Sequence, residues 1–125
     1  KNKGLPIKDL YIADASGLSR SNRVTTNLIA SFLYKMQFNN NYEFYASTLS
    51  IMGVRGTLAN SLVNNKINGK FFGKTGTLSN VFSLSGYFHK NNKIYSISII
   101  QNSNLIDKNK IFKFLNEVYE INDCK

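Results

Sequence analysis

Four consecutive residues, Lys74-Thr75-Gly76-Thr77, set an ammonium, two hydroxyls and a residue without a Cβ side by side. Such a set offers charge, directed hydrogen bonding and accessible backbone in one place, and the competing reading is an ordinary strand with a Gly at a bulge. A second group, Asp14-Ala15-Ser16-Gly17-Leu18-Ser19-Arg20-Ser21-Asn22, is dense in residues that bond their own backbone, with a Gly that accepts positive φ, so it reads as an ordered loop. Other chemistry is thin. His89 is the single histidine and Cys124 the single cysteine. A lone His in a strand is more often a surface or edge residue than a ligand, and one Cys closes neither an internal disulfide nor a Cys-rich metal site. Neither a metal nor an organic cofactor is expected.

The elements that must position these residues follow from periodicity. Thr25 or Thr26 can cap a helix in which Val24, Leu28, Ile29, Phe32, Leu33 and Met36 recur at the helical period, and Asn39, Asn40 and Asn41 end it. Leu10 to Ala13 reads as a strand or an entry loop. Tyr42 to Leu62 is mixed, with a tight turn at Gly53 and Gly56 and a short helix from about Thr57 to Val63. Asn64, Asn65, Asn68 and Gly69 make a turn before a strand from Lys70 to Leu78, which carries the Lys-Thr-Gly run. Phe82, Leu84, Gly86 and Phe88 alternate with Val81, Ser83, Ser85, Tyr87 and His89, and Tyr95, Ile97 and Ile99 alternate with Ser96 and Ser98. Two such runs joined at Asn91-Asn92 predict an antiparallel hairpin. Asp107 can cap a last helix from Lys108 to about Ile121, with Ile111, Leu115 and Val118 on one face and Lys113 and Glu117 placed for a contact on the other.

With 125 residues, 42% of them hydrophobic and 13% aromatic, the chain has material for one core, and wholesale disorder is excluded. No apolar run approaches the ~20 residues of a spanning helix, and the Lys-Asn-Lys start lacks the apolar stretch of a signal peptide. The net charge of +9 raises an anionic partner. Yet 13 Lys stand against 3 Arg, spread among 18 Asn along the whole chain, so the charge reads as a solvated basic surface rather than a binding stripe.

Four blocks, in order, resemble one family. Asp14 to Thr25 is similar to the Asp-Gly-Ser-Gly-Leu-Ser-Arg-x-Asn-x-Val-Thr signature of the peptidase S13 family, the penicillin-binding protein 4 type D-alanyl-D-alanine carboxypeptidases and endopeptidases. Leu49 to Leu58 resembles its Leu-Pro-Ile-Ala-Gly-x-Asp-Gly-Thr-Leu turn, Gly69 to Leu78 its Lys-Thr-Gly-Thr-Leu strand, and Leu84-Ser85-Gly86-Tyr87 its Leu-Ala-Gly-Tyr strand. The resemblance implies that Lys74, Thr75 and Gly76 belong to the catalytic machinery, with Lys74 and Thr75 holding the carboxylate of a D-Ala-D-Ala peptide or a β-lactam. Gly76 would let the substrate backbone approach closely, and Thr77 would give a backbone N–H to an oxyanion hole. Asp14, Ser16, Ser19 and Arg20 would order the loop behind the site rather than react.

Departures accompany the likeness. Ala15 stands for a Gly, Ser50 for a Pro, Arg55 for an Asp and Ser61 for an Arg. The family acylates a Ser in a Ser-x-x-Lys motif and uses a Ser-x-Asn motif, and no Ser here has either spacing; Ser31 with Lys35 and Ser19 with Asn22 are each one residue too long. On a helix, a Lys three residues after the Ser lies one turn away on the same face, where it can act as base.

The expected fold is α+β, the C-terminal part of a β-lactamase/transpeptidase-like fold, with an antiparallel sheet of about three strands and flanking helices. Residues 1–125 would be the C-terminal portion of a single catalytic domain whose nucleophile-bearing part lies upstream. The implied activity is that of a serine-type D-Ala-D-Ala carboxypeptidase or endopeptidase on peptidoglycan stem peptides, in the periplasm or otherwise outside the cytoplasm, with no nucleic-acid partner. Alternatives from other classes are a non-catalytic remnant, or a basic module for nucleic acid or another anionic polymer, stacking bases on Phe71, Phe72, Phe82 and Phe88.

Overall fold

The alternation after residue 80 resolves into two ten-residue strands in the computed structural model, which describes residues 4–61 and 66–121. They are β3 (Val81–Lys90) and β4 (Lys93–Asn102), paired antiparallel from Val81↔Asn102 to Lys90↔Lys93. Asn91 and Asn92 turn the corner with φ of 50° and 60°, the left-handed region that a two-residue hairpin demands and Asn tolerates. Strand β2 (Phe71–Leu78) precedes them through an equally short turn, closing at Leu78↔Val81 with Asn80 at φ 64°. The sheet has a fourth member, β1 (Ser50–Ile51), paired through Ser50↔Gly73 and Ile51↔Phe72, so the order is β1-β2-β3-β4 rather than about three strands. Two residues are too few to show an alternation, which is why the pattern missed them.

Period two sends the sheet's side chains to two helical layers. Helix α3 (Lys108–Glu120), capped by Asp107 accepting from Lys110 N at 3.0 Å, buries Ile111, Phe112 and Leu115 against Phe71, Phe82, Leu84 and Phe88. Tyr95, Ile97, Ile99 and Val118 pack around this cluster, and Met52, Leu58 and Ile67 complete it. The charged contact of this helix runs from Glu120 to Lys66 at 3.5 Å rather than between Lys113 and Glu117.

On the other face lies α1 (Thr26–Met36), capped by Thr25, which accepts from Leu28 N at 3.1 Å. Its Leu33 joins Tyr87 of β3, Tyr42 and Leu49 in a second cluster. Ser96 of β4 donates to Ala30 O at 3.1 Å on the same side. Phe32 and Val24, assigned to the helix's apolar face by spacing, are exposed; Leu28 and Leu33 are its buried residues. A six-residue helix, α2 (Tyr42–Ser47), occupies part of the stretch that reads as mixed, because fewer than two turns carry no clear period. Gly56–Leu58 is a 3-10 turn in place of the helix expected from Thr57; Leu62, Val63, Asn64, Asn65 and Cys124 lie outside the described residues. No helix among the described residues is long and apolar enough to cross a membrane.

Candidate functional site

The Lys-Thr-Gly residues lie on β2 just where the sheet loses its neighbour on one side. β1 reaches only as far as Gly73. Alternate residues of an antiparallel strand bond to alternate sides. Phe71 O accepts from Met52 N at 3.0 Å on the β1 side, and Lys70 O accepts from His89 N at 3.1 Å on the β3 side. Continuing that alternation, Gly73, Thr75 and Thr77 turn their N–H and C=O groups toward the β1 side. Beyond Gly73 no described strand stands there, so the edge of Thr75 and Thr77 is open.

Side chains alternate across the strand in the same way. Lys74 and Gly76 belong to the α1 face with Phe72, and Lys74 is exposed. Its Nζ donates to Thr75 O at 2.5 Å, leaning the ammonium along the open edge. A Cβ on Gly76 would stand 2.5 Å from Ser83 Oγ, so the position also has a packing reason to be Gly. Thr75 Oγ1 donates to Thr57 Oγ1 at 2.9 Å. Thr57 in turn lies 3.3 Å from Ser50 Oγ, and its backbone N–H donates to that oxygen at 3.2 Å. The close approach depends on Gly56, at φ 69°, where a Cβ would sit 2.4 Å from Ser50 Oγ. Arg55 donates to Ser47 O and, at 3.1 Å, to Leu49 O, so the guanidinium binds carbonyls at the end of α2.

The loop of residues 12–22 is closed by an antiparallel bridge between Tyr11 and Arg23 and organised from within by one carboxylate. Asp14 accepts from Ser16 Oγ (3.0 Å), Gly17 N (3.0 Å), Ser19 N (2.9 Å) and Asn22 Nδ2 (2.9 Å). Asn22 Oδ1 accepts from Ala13 N and Asp14 N. The Asn22 amide, followed by the Ser16 hydroxyl and the two backbone donors, holds the Asp14 carboxyl below its ordinary range against a partial desolvation. Arg20 leaves the loop and donates to Ser79 O at 3.3 Å, at the turn that ends β2.

The structure therefore brings Lys74, Thr75, Gly76 and Thr77 to one open edge and ties Arg20 to its far end, while the hydrogen bonds of Asp14, Ser16 and Ser19 stay within their loop. Sequence reasoning did not single out Ser50 and Thr57 as partners of Thr75; the Gly53 and Gly56 turn was the available signal. Ser31 bonds Asn27 Oδ1 at 3.3 Å along its own helix. The stacking platform is overturned. Phe71, Phe82 and Phe88 are buried in the α3 cluster, and Phe72 packs with the α1 cluster, stacked on His89 with ring centroids 5.0 Å apart.

Comparison with known proteins gives this arrangement a family. Residues 1–117 match the D-Ala-D-Ala carboxypeptidase 3 (S13) family. The chain belongs to the S13 family. Its S13 relatives include a D-alanyl-D-alanine carboxypeptidase of Actinomadura sp. (strain R39), 33% identical over 104 residues that make up 79% of this chain and 19% of the relative. D-alanyl-D-alanine carboxypeptidase DacB of Haemophilus influenzae is 30% identical over 89 residues, 70% of this chain and 19% of its own length. The chain thus spans about a fifth of the curated relatives it matches. The crystal structure of penicillin binding protein 4 (dacB) from Haemophilus influenzae superposes with a TM-score of 0.80 at 25% identity, covering 95% of this chain and 29% of that one. A second structure of that protein, complexed with a β-lactam, superposes equally well and is covered to 30%. The S13 fold is α+β, as the four-stranded antiparallel sheet and its helices are here.

Proposed function

We propose that this chain supplies the substrate-binding strand of a serine-type D-Ala-D-Ala carboxypeptidase or endopeptidase acting on peptidoglycan stem peptides outside the cytoplasm. The carrying observation is the open β2 edge, with the Lys74 ammonium beside it and the Thr75 and Thr77 backbone facing it. An extended peptide can lie along such an edge as an added strand, its terminal carboxylate held by Lys74 and the Thr75 hydroxyl. The Thr77 N–H then points to where a carbonyl oxygen gains charge on attack. Gly76 keeps this stretch free of a Cβ.

The nucleophile comes from outside these 125 residues, since no Ser has a Lys three residues on. In the intact enzyme that Ser attacks the D-Ala-D-Ala carbonyl, the terminal D-Ala leaves with a proton, and water hydrolyses the acyl-enzyme. Residues 1–125 are on this reading the C-terminal portion of one transpeptidase-like catalytic domain. Asp14, Ser16 and Ser19 shape the loop from which Arg20 steadies the β2–β3 turn. β-Lactams, which carry a carboxylate and a strained acyl group, would enter the same cleft, in keeping with the β-lactam complex of the Haemophilus influenzae relative.

The test is acylation by a fluorescent penicillin in the enzyme that carries this segment downstream of a Ser-x-x-Lys motif. Lys74→Ala or Thr75→Val removes one charge-assisted bond, so labelling should slow about ten- to a hundredfold with little change in thermal stability. Chain 1–125 alone should take no label. Unchanged labelling in both variants would remove β2 from the site.

A further inference from the structure

We infer that Ser50, acting through Thr57, is a positioning residue that turns the Thr75 hydroxyl into a donor toward a carboxylate-bearing ligand; the inference rests on the proposed function and adds residues to that site. Three hydroxyl oxygens form a line, Thr75 Oγ1 to Thr57 Oγ1 at 2.9 Å and Thr57 Oγ1 to Ser50 Oγ at 3.3 Å. Each hydroxyl has one hydrogen to give and can accept two. With no anion present, Thr75 donates to Thr57, as its geometry shows, and Thr57 is free to donate onward to Ser50. In that order the Thr75 hydrogen points away from the open edge.

A carboxylate at the edge reverses the order. A hydrogen bond to an ionised acceptor is roughly twice as strong as a neutral one, so Thr75 turns its hydrogen to the anion. Thr57 then donates to Thr75 Oγ1, and Ser50 donates to Thr57 Oγ1. The Ser50–Thr57 contact serves either direction as it stands, whereas Thr57 has to turn its hydroxyl to become the donor to Thr75. Ser50 is suited to be the origin of the chain because its oxygen is already fixed by the Thr57 N–H at 3.2 Å, leaving its hydrogen free to choose between Thr57 and solvent. Two further features build the anchor in. The Ser50↔Gly73 pair sets Ser50 two residues from Thr75 along the same edge, and the absent Cβ of Gly56 leaves the room its hydroxyl occupies. Polarised chains of this kind strengthen cooperatively, so the end of the line is felt at its head.

The test uses NMR on the labelled full chain. Without ligand, three-bond couplings should show Thr75 in one χ1 rotamer, averaged in Thr57→Val, partly averaged in Ser50→Ala and fixed again in Ser50→Thr. In titrations with N-acetyl-D-alanyl-D-alanine and its C-terminal amide, the wild-type chain should prefer the carboxylate. Ser50→Ala should reduce that preference about threefold, Ser50→Thr should restore it, and the amide's affinity should stay level. Preference lost in Lys74→Ala but untouched in Ser50→Ala and Thr57→Val would overturn the inference and leave the proposed function standing. A wild-type chain with no preference for the carboxylate would overturn both. Thr75 couplings indifferent to Ser50 and Thr57 would overturn the inference whatever the ligand does.

Discussion

Replacing Tyr87 by Phe removes a single oxygen from the seam between the sheet and α1. Tyr87 is fully buried, and its hydroxyl donates to Leu33 O at 2.9 Å. The ring would stay, edge-on to Tyr42 at 5.3 Å and to Tyr45 at 6.4 Å, so the aromatic packing is retained. Leu33 O also keeps the N–H of Gln37, at 3.3 Å, and is not orphaned. The cost is then one net intramolecular hydrogen bond with a void too small for water, about 1 kcal/mol, and not the ~1–3 kcal/mol of an unsatisfied buried group. For a domain of this size that lowers Tm by about 3–5 °C. Urea unfolding followed by circular dichroism should show the midpoint falling with an unchanged slope. A loss under ~0.3 kcal/mol would mean that the hydroxyl bond to α1 does not persist in solution, and a loss above ~3 kcal/mol that the helix leaves the sheet without it.

Leu115→Ala should cost about 2–5 kcal/mol by the same urea measurement, because rigid aromatic walls such as Phe82 and Phe88 collapse poorly into the space; under half a kcal/mol would refute the docking. Burial raises Tyr87, Tyr42 and Tyr45 above the ordinary tyrosine value of 10.0, so their contribution is complete below that pH and lost as pH rises through the folded values. Alkaline titration should accordingly unfold the chain as its phenols ionise, with a shallower loss in Tyr87→Phe. Asp14 is depressed, so its contribution to the loop is present above the ordinary carboxylate range and lost as pH falls through its folded value. The Gly17 and Ser19 amide shifts should report that lowered midpoint, and Asp14→Asn should abolish the titration; a midpoint in the ordinary range would contradict the four-donor arrangement.

The sequence made the hairpin and both long helices legible because each repeats its pattern over ten residues or more, with Thr25 and Asp107 at the caps. β1 and α2 were not legible, since two residues and six residues leave no period to read. Phe32 shows a subtler limit. A helix lying on a sheet buries a stripe narrower than its apolar content, and only the contact with β3 and β4 decides that Leu28 and Leu33 fall inside it while Phe32 falls outside. Tyr87 shows the opposite limit, since it shares its face with Ser83, Ser85 and His89 yet Tyr42, Leu33 and Leu49 cover it. At the candidate site, Lys74 to Thr77 stand out by type and spacing, whereas Ser50 and Thr57 reach Thr75 only through the register of β1 on β2.

The stretch of β2 that lacks a neighbour bears on how the protein behaves at high concentration. The backbone that Thr75 and Thr77 turn to the open side is a template for any extended chain, a second copy of itself included. Lys74 is the one charged side chain on that stretch and is exposed, and two copies pairing edge to edge would bring their ammonium groups together. On the proposed function, the residue that would attract a carboxylate thus also repels its own kind. Lys74→Ala removes both effects at once, so the variant should self-associate as its concentration rises. Its ligand affinity has to be measured in dilute solution, where an empty edge is not mistaken for an occupied one.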